Sequence, residues 1–537
     1  MPKFILNDQE VEAKPGQTII QAAEDHGMEI PHYCYHADLP IDGNCRMCLV
    51  EVEKMPKLTP ACTTMVSEGM VVRSANERVK TAVRGVLEFL LINHPVDCPV
   101  CDQAGECRLQ DYYMVYGLHT SEIPQSLKVH KAKAVDLGPV MLDQERCVEC
   151  SRCIRFFEHV TKTGELQFFG RGDHVRIGTI NNEKLNNPYS GNVAEICPVG
   201  ALTSHDFRFK ARVWFLHSTD SICGGCSTGC NVRLDHRDGT LFRLQARRNV
   251  EVNKSWLCDE GRLSFHELDN GERVLRPMIK GGDGTQSPAT WDEAAQAVDA
   301  RLKEIATASG ASAILGFASP SATNEALYLF KQYVGGQIGA SLFDFRTDSE
   351  DQRVTEKEDD ILRHRDKHPN TMGVLKLDLM SPALGGIDGA IRRARDGELK
   401  AGVIIYFKPL VARATDVEAE AKIAELVKAL EYAVVLAAHQ ADWQANASVV
   451  LPVAAWSEED GTYTNYQGRV QLAAKAIEPG GDILPVWEVF AMLLHVSGAE
   501  SRWMTPDEVF ATMTERASAF QGLQLDQRRL PGVLATA

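Results

Sequence analysis

All fifteen cysteines of this 537-residue chain lie between positions 34 and 258, and the second half has none. They form four runs: Cys34-x10-Cys45-x2-Cys48-x13-Cys62; Cys98-x2-Cys101-x5-Cys107, with His94 four residues upstream; Cys147-x2-Cys150-x2-Cys153-x43-Cys197; and Cys223-x2-Cys226-x3-Cys230-x27-Cys258. A hydrophobic core has no use for fixed spacing between thiols. Four recurrent ligand sets with no cysteine left over point instead to metal-bound sulfur, and the front half must fold so that loops bring those sulfurs together.

An odd cysteine total, with C-x-x-C pairs too close in sequence for comfortable structural disulfides, argues for a reducing compartment. Cytosolic exposure is therefore expected. A net charge of -16 with no lysine or arginine cluster disfavours nucleic acid. The opening MPKFILNDQEVEAKPGQ has neither a secretory nor a transit pattern, and the longest apolar runs, Val86 to Ile92 and Ala433 to Ala438, are too short to span a bilayer. No direct membrane insertion is expected.

The first residues alternate as a strand, turn at Asn7-Asp8, return as a second strand, and then offer Thr18-Ile-Ile-Gln21 as a helix capping box ending near Gly27. Hairpin followed by helix suggests a β-grasp. Cys34, Cys45 and Cys48 follow in a loop that Gly43 frees to curl, and Cys62 arrives from the next turn. One long gap, one short gap and a distant fourth ligand is a [2Fe–2S] pattern, although the gap of ten exceeds the plant-type four. Taken alone, the four cysteines also suit zinc.

Val86 to Ile92 reads as a buried helical stretch that His94-Pro95 terminates, since the residue before a proline resists the α region. His94 with Cys98, Cys101 and Cys107 then makes a histidine-plus-three-cysteine [4Fe–4S] set, a zinc knuckle being the alternative for this segment in isolation. Exchanging one thiolate for neutral imidazole removes negative charge and should ease reduction.

Cys147, Cys150 and Cys153 carry the bacterial ferredoxin triplet, whose next cysteine would serve a second cluster; here that position is Phe157. The partner triplet is likewise missing, its places taken by Asn187, Ser190 and Val193, while the crossing Cys197-Pro198 is kept. One [4Fe–4S] set is retained and its sister is lost as a unit. The last run, Cys223, Cys226, Cys230 and Cys258, has glycines where backbone must approach a [4Fe–4S] cluster closely.

That last run resembles the amino-terminal cluster motif of the molybdopterin oxidoreductases. Active members of that family carry C-x-K-G-R with the lysine between cluster and pterin, whereas this chain has Cys258-Asp-Glu260-Gly261-Arg262. A carboxylate there disfavours an anionic pterin. From about residue 271 the pattern turns to α/β: Thr290-Trp-Asp-Glu293 caps a helix running to Gly310, and Ala313 to Ala318, Val403 to Phe407 and Val434 to Ala438 read as buried strands. The stretch starting at Ala447 resembles the same oxidoreductases, including Glu458, Gly461, Thr462, Asn465, Gly468 and Arg469, which are read as structural turns and salt bridges. The charged stretch Thr347 to Pro369 reads as a surface excursion or a deletion scar.

The expected fold is thus multidomain α+β and α/β. It comprises a β-grasp [2Fe–2S] ferredoxin-type domain over 1–78, a His(Cys)3 [4Fe–4S] segment over 79–118 and a ferredoxin-like [4Fe–4S] domain over 119–215. A molybdopterin-oxidoreductase-type [4Fe–4S] domain over 216–272 and a shortened, degenerate molybdopterin-oxidoreductase-like α/β domain over 273–537 complete it. There is no G-x-x-x-x-G-K-[ST] loop, and Gly335 to Gly339 lacks dinucleotide spacing. No catalytic residue is assigned.

Read in order, the four ligand sets resemble the 75 kDa family of respiratory complex I, the large iron–sulfur subunits of the NADH-quinone oxidoreductases. The resemblance implies one [2Fe–2S] and three [4Fe–4S] clusters, no molybdopterin, and NAD and FMN held only in partner subunits. It implies a hetero-oligomer on the cytoplasmic side of the bacterial inner membrane. Electrons would enter from a flavin- and NADH-binding subunit at the Cys34 set, pass to the Cys147 set and then the His94 set, and leave toward quinone, with the Cys223 set off that path. The rivals are a molybdenum enzyme such as the large subunit of an NAD-linked formate dehydrogenase, an iron-only hydrogenase, and a zinc-stabilised scaffold. The first would carry the second ferredoxin cluster, the motif lysine and a downstream metal-ligating cysteine, all absent here.

Overall fold

The computed structural model describes the chain apart from residues 118–119, 269–270, 348–352, 414, 500–502, 525, 527–530 and 536–537. It divides into two compact units, Met1–Leu216 and His217–Ala537.

In the first unit, strands β1 (Lys3–Leu6) and β2 (Gln9–Glu12) form an antiparallel hairpin. Asn7 and Asp8 turn it with φ of 49° and 67°, the left-handed pair that a two-residue hairpin loop needs. Helix α1 (Ile19–Asp25) begins at the Thr18/Gln21 capping box and buries Ile19, Ile20, Ala22 and Ala23 against Phe4, Leu6, Val50 and Val72. With β3 (Leu49–Val52), β4 (Thr59–Pro60) and β5 (Val71–Arg73) the sheet order is β2-β1-β5-β3-β4, and β1 and β5 run parallel. Helix α2 (Glu77–Asn93) ends where His94 turns extended (ψ 133°) ahead of Pro95, as the sequence predicts.

Beyond α2 the elements shorten: Arg108–Tyr112 runs on through a π turn over Tyr113–Gly117, Arg152–Arg155 through another over Phe156–Val160, Asn192–Ile196 is a five-residue helix, and the strands have two or three residues. The apolar cluster here packs cysteines among the hydrocarbon: Cys34, Cys107 and Cys150 beside Tyr33, Val83, Leu87 and Tyr112. The expected boundary at 118/119 lies outside the described residues.

The second unit opens with an antiparallel sheet of β6 (His217–Ile222), β7 (Asn231–Arg237) and β8 (Thr240–Ala246). The larger sheet contains β9 (Met278–Lys280), β10 (Gln286–Pro288), β11 (Ile314–Phe317), β12 (Leu342–Asp344), β13 (Ala401–Tyr406), β14 (Tyr432–Ala437) and β15 (Val449–Pro452). Its order is β10-β9-β15-β14-β13-β11-β12, parallel from β15 to β12. Alternate residues feed opposite cores: Val403, Ile405, Val434 and Leu436 on one face, Ile404, Val435 and Ala437 on the other. That is why these strands read as unbroken apolar runs. Helix α3 (Trp291–Ser309) lies on the first face, started by the Thr290/Glu293 capping box.

The charged stretch, expected as a surface excursion or a deletion scar, divides between surface and interior. Residues 348–352 lie outside the described ones; Thr355, Glu356, Lys357, Glu358, Asp360 and Arg365 are exposed, while Val354, Leu362, His364, Asp366, Lys367 and His368 are buried. Its charges neutralise one another in a network with Glu260, so burial does not strand an ion. Among the described residues no helix is long and apolar enough to cross a membrane.

Candidate metal centres

The first set is built on the loop after α1 and the edge of its sheet. The Cys34 amide donates to the Cys45 sulfur at 3.4 Å, the Cys34 sulfur lies within hydrogen-bonding reach of those of Cys45 and Cys62, and Cys48 reaches Cys62. The four thiols therefore form a connected string, with Cys34, Cys48 and Cys62 buried.

In the second set, His94, Cys98, Cys101 and Cys107 line one pocket. Burial holds the His94 imidazole well below its usual range, at about 4, so the ring is neutral, the form that ligates metal. Burial pushes the Cys107 thiol up to about 11, a proton that a bound cation would displace. Gly200, three residues after Cys197, completes the wall: a Cβ there would sit 2.2 Å from the Cys101 sulfur. Arg146 grips Asp97 through two bonds of 3.0 and 2.7 Å and interacts with Cys101.

The third set gathers Cys147, Cys150 and Cys153 with Cys197, which stands at the end of the Asn192–Ile196 helix. Glu149 and Ser151 take φ of 52° and 61°, winding the triplet around a point, and the Glu149 amide donates to the Cys147 sulfur at 3.4 Å. Cys153 interacts with all three of its partners. Burial pushes Cys197 up to about 12.

Two arginines beside Cys153 join the first and third sets. Arg155 donates to the Cys34 and Pro40 carbonyls, to the Ser151 hydroxyl at 2.9 Å and to the Cys150 carbonyl at 3.4 Å. Arg152 donates to the Tyr35 carbonyl and, at 3.1 Å, to that of Ile196. The third set is thus tied through Arg155 to Cys34 and through Gly200 to Cys101, while buried Tyr33 interacts with both Cys45 and Cys107.

In the second unit the loop between β6 and β7 carries Cys223, Cys226 and Cys230, closed by a 2.8 Å bond from the Cys223 amide to the Cys230 carbonyl. Cys258 opens a short helix, accepts from the Gly261 amide at 3.3 Å, and interacts with Cys223 and Cys226. A Cβ on Gly261 would lie 2.9 Å from the Cys223 sulfur. The loop is held from behind by the stretch starting at Ala447: Asn465 donates to the Thr228 carbonyl at 3.2 Å and Gln471 to that of Gly229 at 3.0 Å. Arg273 clamps Glu458 through two bonds of 2.7 Å, and Thr462 donates to Glu325 at 2.9 Å. The contacts of Glu458, Thr462 and Asn465 are structural.

Every expected ligand thus lies beside others of its own set. Arg152, Arg155, Gly200 and Lys367 were not singled out from the sequence. Gly200 could have been, from its position just past the Cys197-Pro198 crossing; the arginines and Lys367 carry no spacing signal. Among the described residues, no three cysteine, histidine, aspartate or glutamate side chains close on one point as a single metal ion demands.

Known families match this arrangement segment by segment. Residues 3–77 match the 2Fe-2S iron-sulfur cluster binding domain, 84–122 the NADH-ubiquinone oxidoreductase-G iron-sulfur binding region, and 138–203 the NADH-quinone oxidoreductase subunit 3 ferredoxin-like domain. Residues 216–270 match the molybdopterin oxidoreductase Fe4S4 domain, and 273–367 with 374–496 match molybdopterin oxidoreductase. An NADH-quinone oxidoreductase subunit of Rickettsia bellii is 40% identical over 65% of this chain and 51% of its own length. The NADH-ubiquinone oxidoreductase 75 kDa subunit of Reclinomonas americana is 39% identical over 69% of this chain and 53% of its own. The mitochondrial NADH-ubiquinone oxidoreductase 78 kDa subunit of Candida albicans is 42% identical over 56% and 42%. The chain spans about half the length of these curated relatives.

Proposed function

We propose that this chain, most of which is homologous to the 75 kDa iron–sulfur subunits of the NADH-quinone oxidoreductases, is an electron-transfer subunit of the peripheral arm of such a complex. The observation that carries the reading is the continuity of the first three ligand sets, with the Cys147–Cys197 set tied to Cys34 through Arg155 and to Cys101 through Gly200. That continuity supports the relay order read from the sequence.

The first site would be held by Cys34, Cys45, Cys48 and Cys62, the second by His94, Cys98, Cys101 and Cys107. The third would be held by Cys147, Cys150, Cys153 and Cys197, the fourth by Cys223, Cys226, Cys230 and Cys258. Bound there, one [2Fe–2S] and three [4Fe–4S] clusters would supply one-electron redox chemistry. The chain's own residues do the rest. Burial excludes water, His94 enters neutral, and Arg146, Arg152 and Arg155 set fixed positive charge beside the sulfurs. The string of four connected thiols in the first set supports a polynuclear centre there over a single zinc ion.

NAD, FMN and quinone are assigned to partner subunits, the assembly to a hetero-oligomer on the cytoplasmic face of the bacterial inner membrane. Residues 273–537 are read as a degenerate scaffold without molybdopterin. In support, Glu260 stands where the molybdopterin motif has lysine, and no cysteine follows Cys258 to ligate molybdenum. The five-domain division read from the sequence is kept as part of this proposal.

The test is metal analysis of the full chain purified without oxygen. Iron and labile sulfide in the proportions of these four clusters are expected; zinc in their place overturns the reading, and stoichiometric molybdenum overturns its pterin-free part. In addition, His94→Cys should keep a cubane and lower its potential. A raised or unchanged potential contradicts the assigned role of the imidazole.

A further inference from the structure

The segment from Arg353 to Asn370 is stapled onto the Cys226-Ser-Thr-Gly-Cys230 loop. The Ser227 amide donates to the Asp366 carbonyl at 3.0 Å, the Ser227 hydroxyl to the Val354 carbonyl at 2.9 Å, and the Thr228 hydroxyl to the Leu362 carbonyl. These bonds bring Lys367 beside Cys226. Its side chain is 7% exposed, and an ammonium is buried at such a place only if it is paired.

The pairing is complete and directional. Lys367 contacts Glu260 at 3.2 Å and Glu358 at 3.0 Å, and Arg363 bridges the same two carboxylates. Glu260 lies two residues past Cys258 and occupies the position where the resembling motif has lysine. The Lys367 ammonium interacts with Cys226 and Cys223, whereas Glu260 interacts with Cys258. The two carboxylates keep the lysine charged and fix its head on the Cys226 side.

We propose that Lys367 sets the reduction potential of the centre formed by Cys223, Cys226, Cys230 and Cys258, its fixed ammonium stabilising the extra negative charge of the reduced state. The residue acts by position and makes no bond to the reacting atoms. One-electron uptake from any external donor suffices, with no proton or leaving group involved. The inference rests on the reading that these four cysteines hold a [4Fe–4S] cluster.

The experiment is a redox titration of the full, cluster-loaded chain, followed by magnetic resonance at the signal of this centre. Lys367→Met should move that potential negative and leave the other three centres unmoved, and Lys367→Arg should restore it most of the way. Glu358→Gln, at a partly exposed position, removes a negative charge and should move it positive. An intact cluster whose potential ignores both Lys367→Met and Glu358→Gln overturns the proposal. If Lys367→Met loses the cluster, the Glu358→Gln titration decides alone, a positive shift supporting the proposal and an unmoved potential overturning it. A wild-type chain with no signal or iron at this site would instead defeat the underlying cluster reading.

Discussion

Residues 94–216 and the parallel sheet of the second unit solve the folding problem in opposite ways. The sheet is closed by hydrocarbon: Leu315, Val403, Val434 and Leu451 are at or near zero exposure, and helices cover both faces. The sulfur-rich region has short helices, two of which pass into π turns, strands of two or three residues, and an apolar cluster diluted by cysteines whose protons are held only by burial. Helices this short do not persist on their own. The lesson is that regular elements are needed where burial must supply the stability, and can be dispensed with where a bound inorganic group ties the loops.

The largest effect follows directly. Chelating the metal without oxygen should abolish amide-exchange protection across 94–107 and 147–197, while 314–317, 401–406 and 432–437 keep theirs. Equal protection in both regions after iron loss would break the comparison at its root. Next in size is Arg155→Leu, which takes the guanidinium donor away from the Cys34, Pro40 and Cys150 carbonyls. A loss of about 3–5 kcal/mol is expected, read as a lowered midpoint of the first unit's unfolding with iron lost from the Cys34 and Cys147 sets. The second unit's transition should not move.

The two regions were also unequally legible from sequence. Capping boxes at Thr18 and Thr290, the His94-Pro95 stop and the apolar strands were readable because each is a local signal with a local cause. The proposed ligand residues stand out in the sequence because metal chemistry asks for fixed spacing. What escaped was the layer that holds the sets in register. Arg155 reaches Cys34 across 121 residues and Lys367 reaches Glu260 across 107, and nothing in a charged residue's neighbours announces so distant a partner. The same reasoning applies to the buried part of the Thr347 to Pro369 stretch: charge density suggests solvent, but Lys367 is buried where Glu260 and Glu358 neutralise it.

The hydrocarbon-built unit has its own weak point, and it is electrostatic. Glu459 is buried, and its carboxyl is pushed up to about 8 by burial and by Glu325, Glu458 and Asp460, although the Val486 amide donates to it at 3.2 Å. The folded state therefore holds a proton that the unfolded chain releases near pH 4.5. Stability from this group is full below that pH and falls as pH rises toward 8, by roughly 1.4 kcal/mol per unit. Glu459→Gln should flatten this decline, gaining about 2–3 kcal/mol on wild type between pH 5 and pH 7 in urea unfolding of the second unit. Parallel pH profiles for the two proteins would show that Glu459 ionises normally.

The smallest effect tests whether local signals matter at all in a unit governed by burial. Thr290 accepts the Glu293 amide at 3.3 Å, and Glu293 returns a bond to the Thr290 amide at 2.9 Å, so two of the four orphan amides at the start of α3 are satisfied. Thr290→Ala removes the first bond and weakens the second while leaving Ala294, Val298 and Leu302 packed on the sheet. A loss of about 1 kcal/mol is expected in the second unit's denaturant midpoint, with an unchanged slope and no change in cluster signals. A much larger loss would mean that α3 depends on its cap rather than on the hydrocarbon beneath it, and the contrast drawn between the two regions would narrow accordingly.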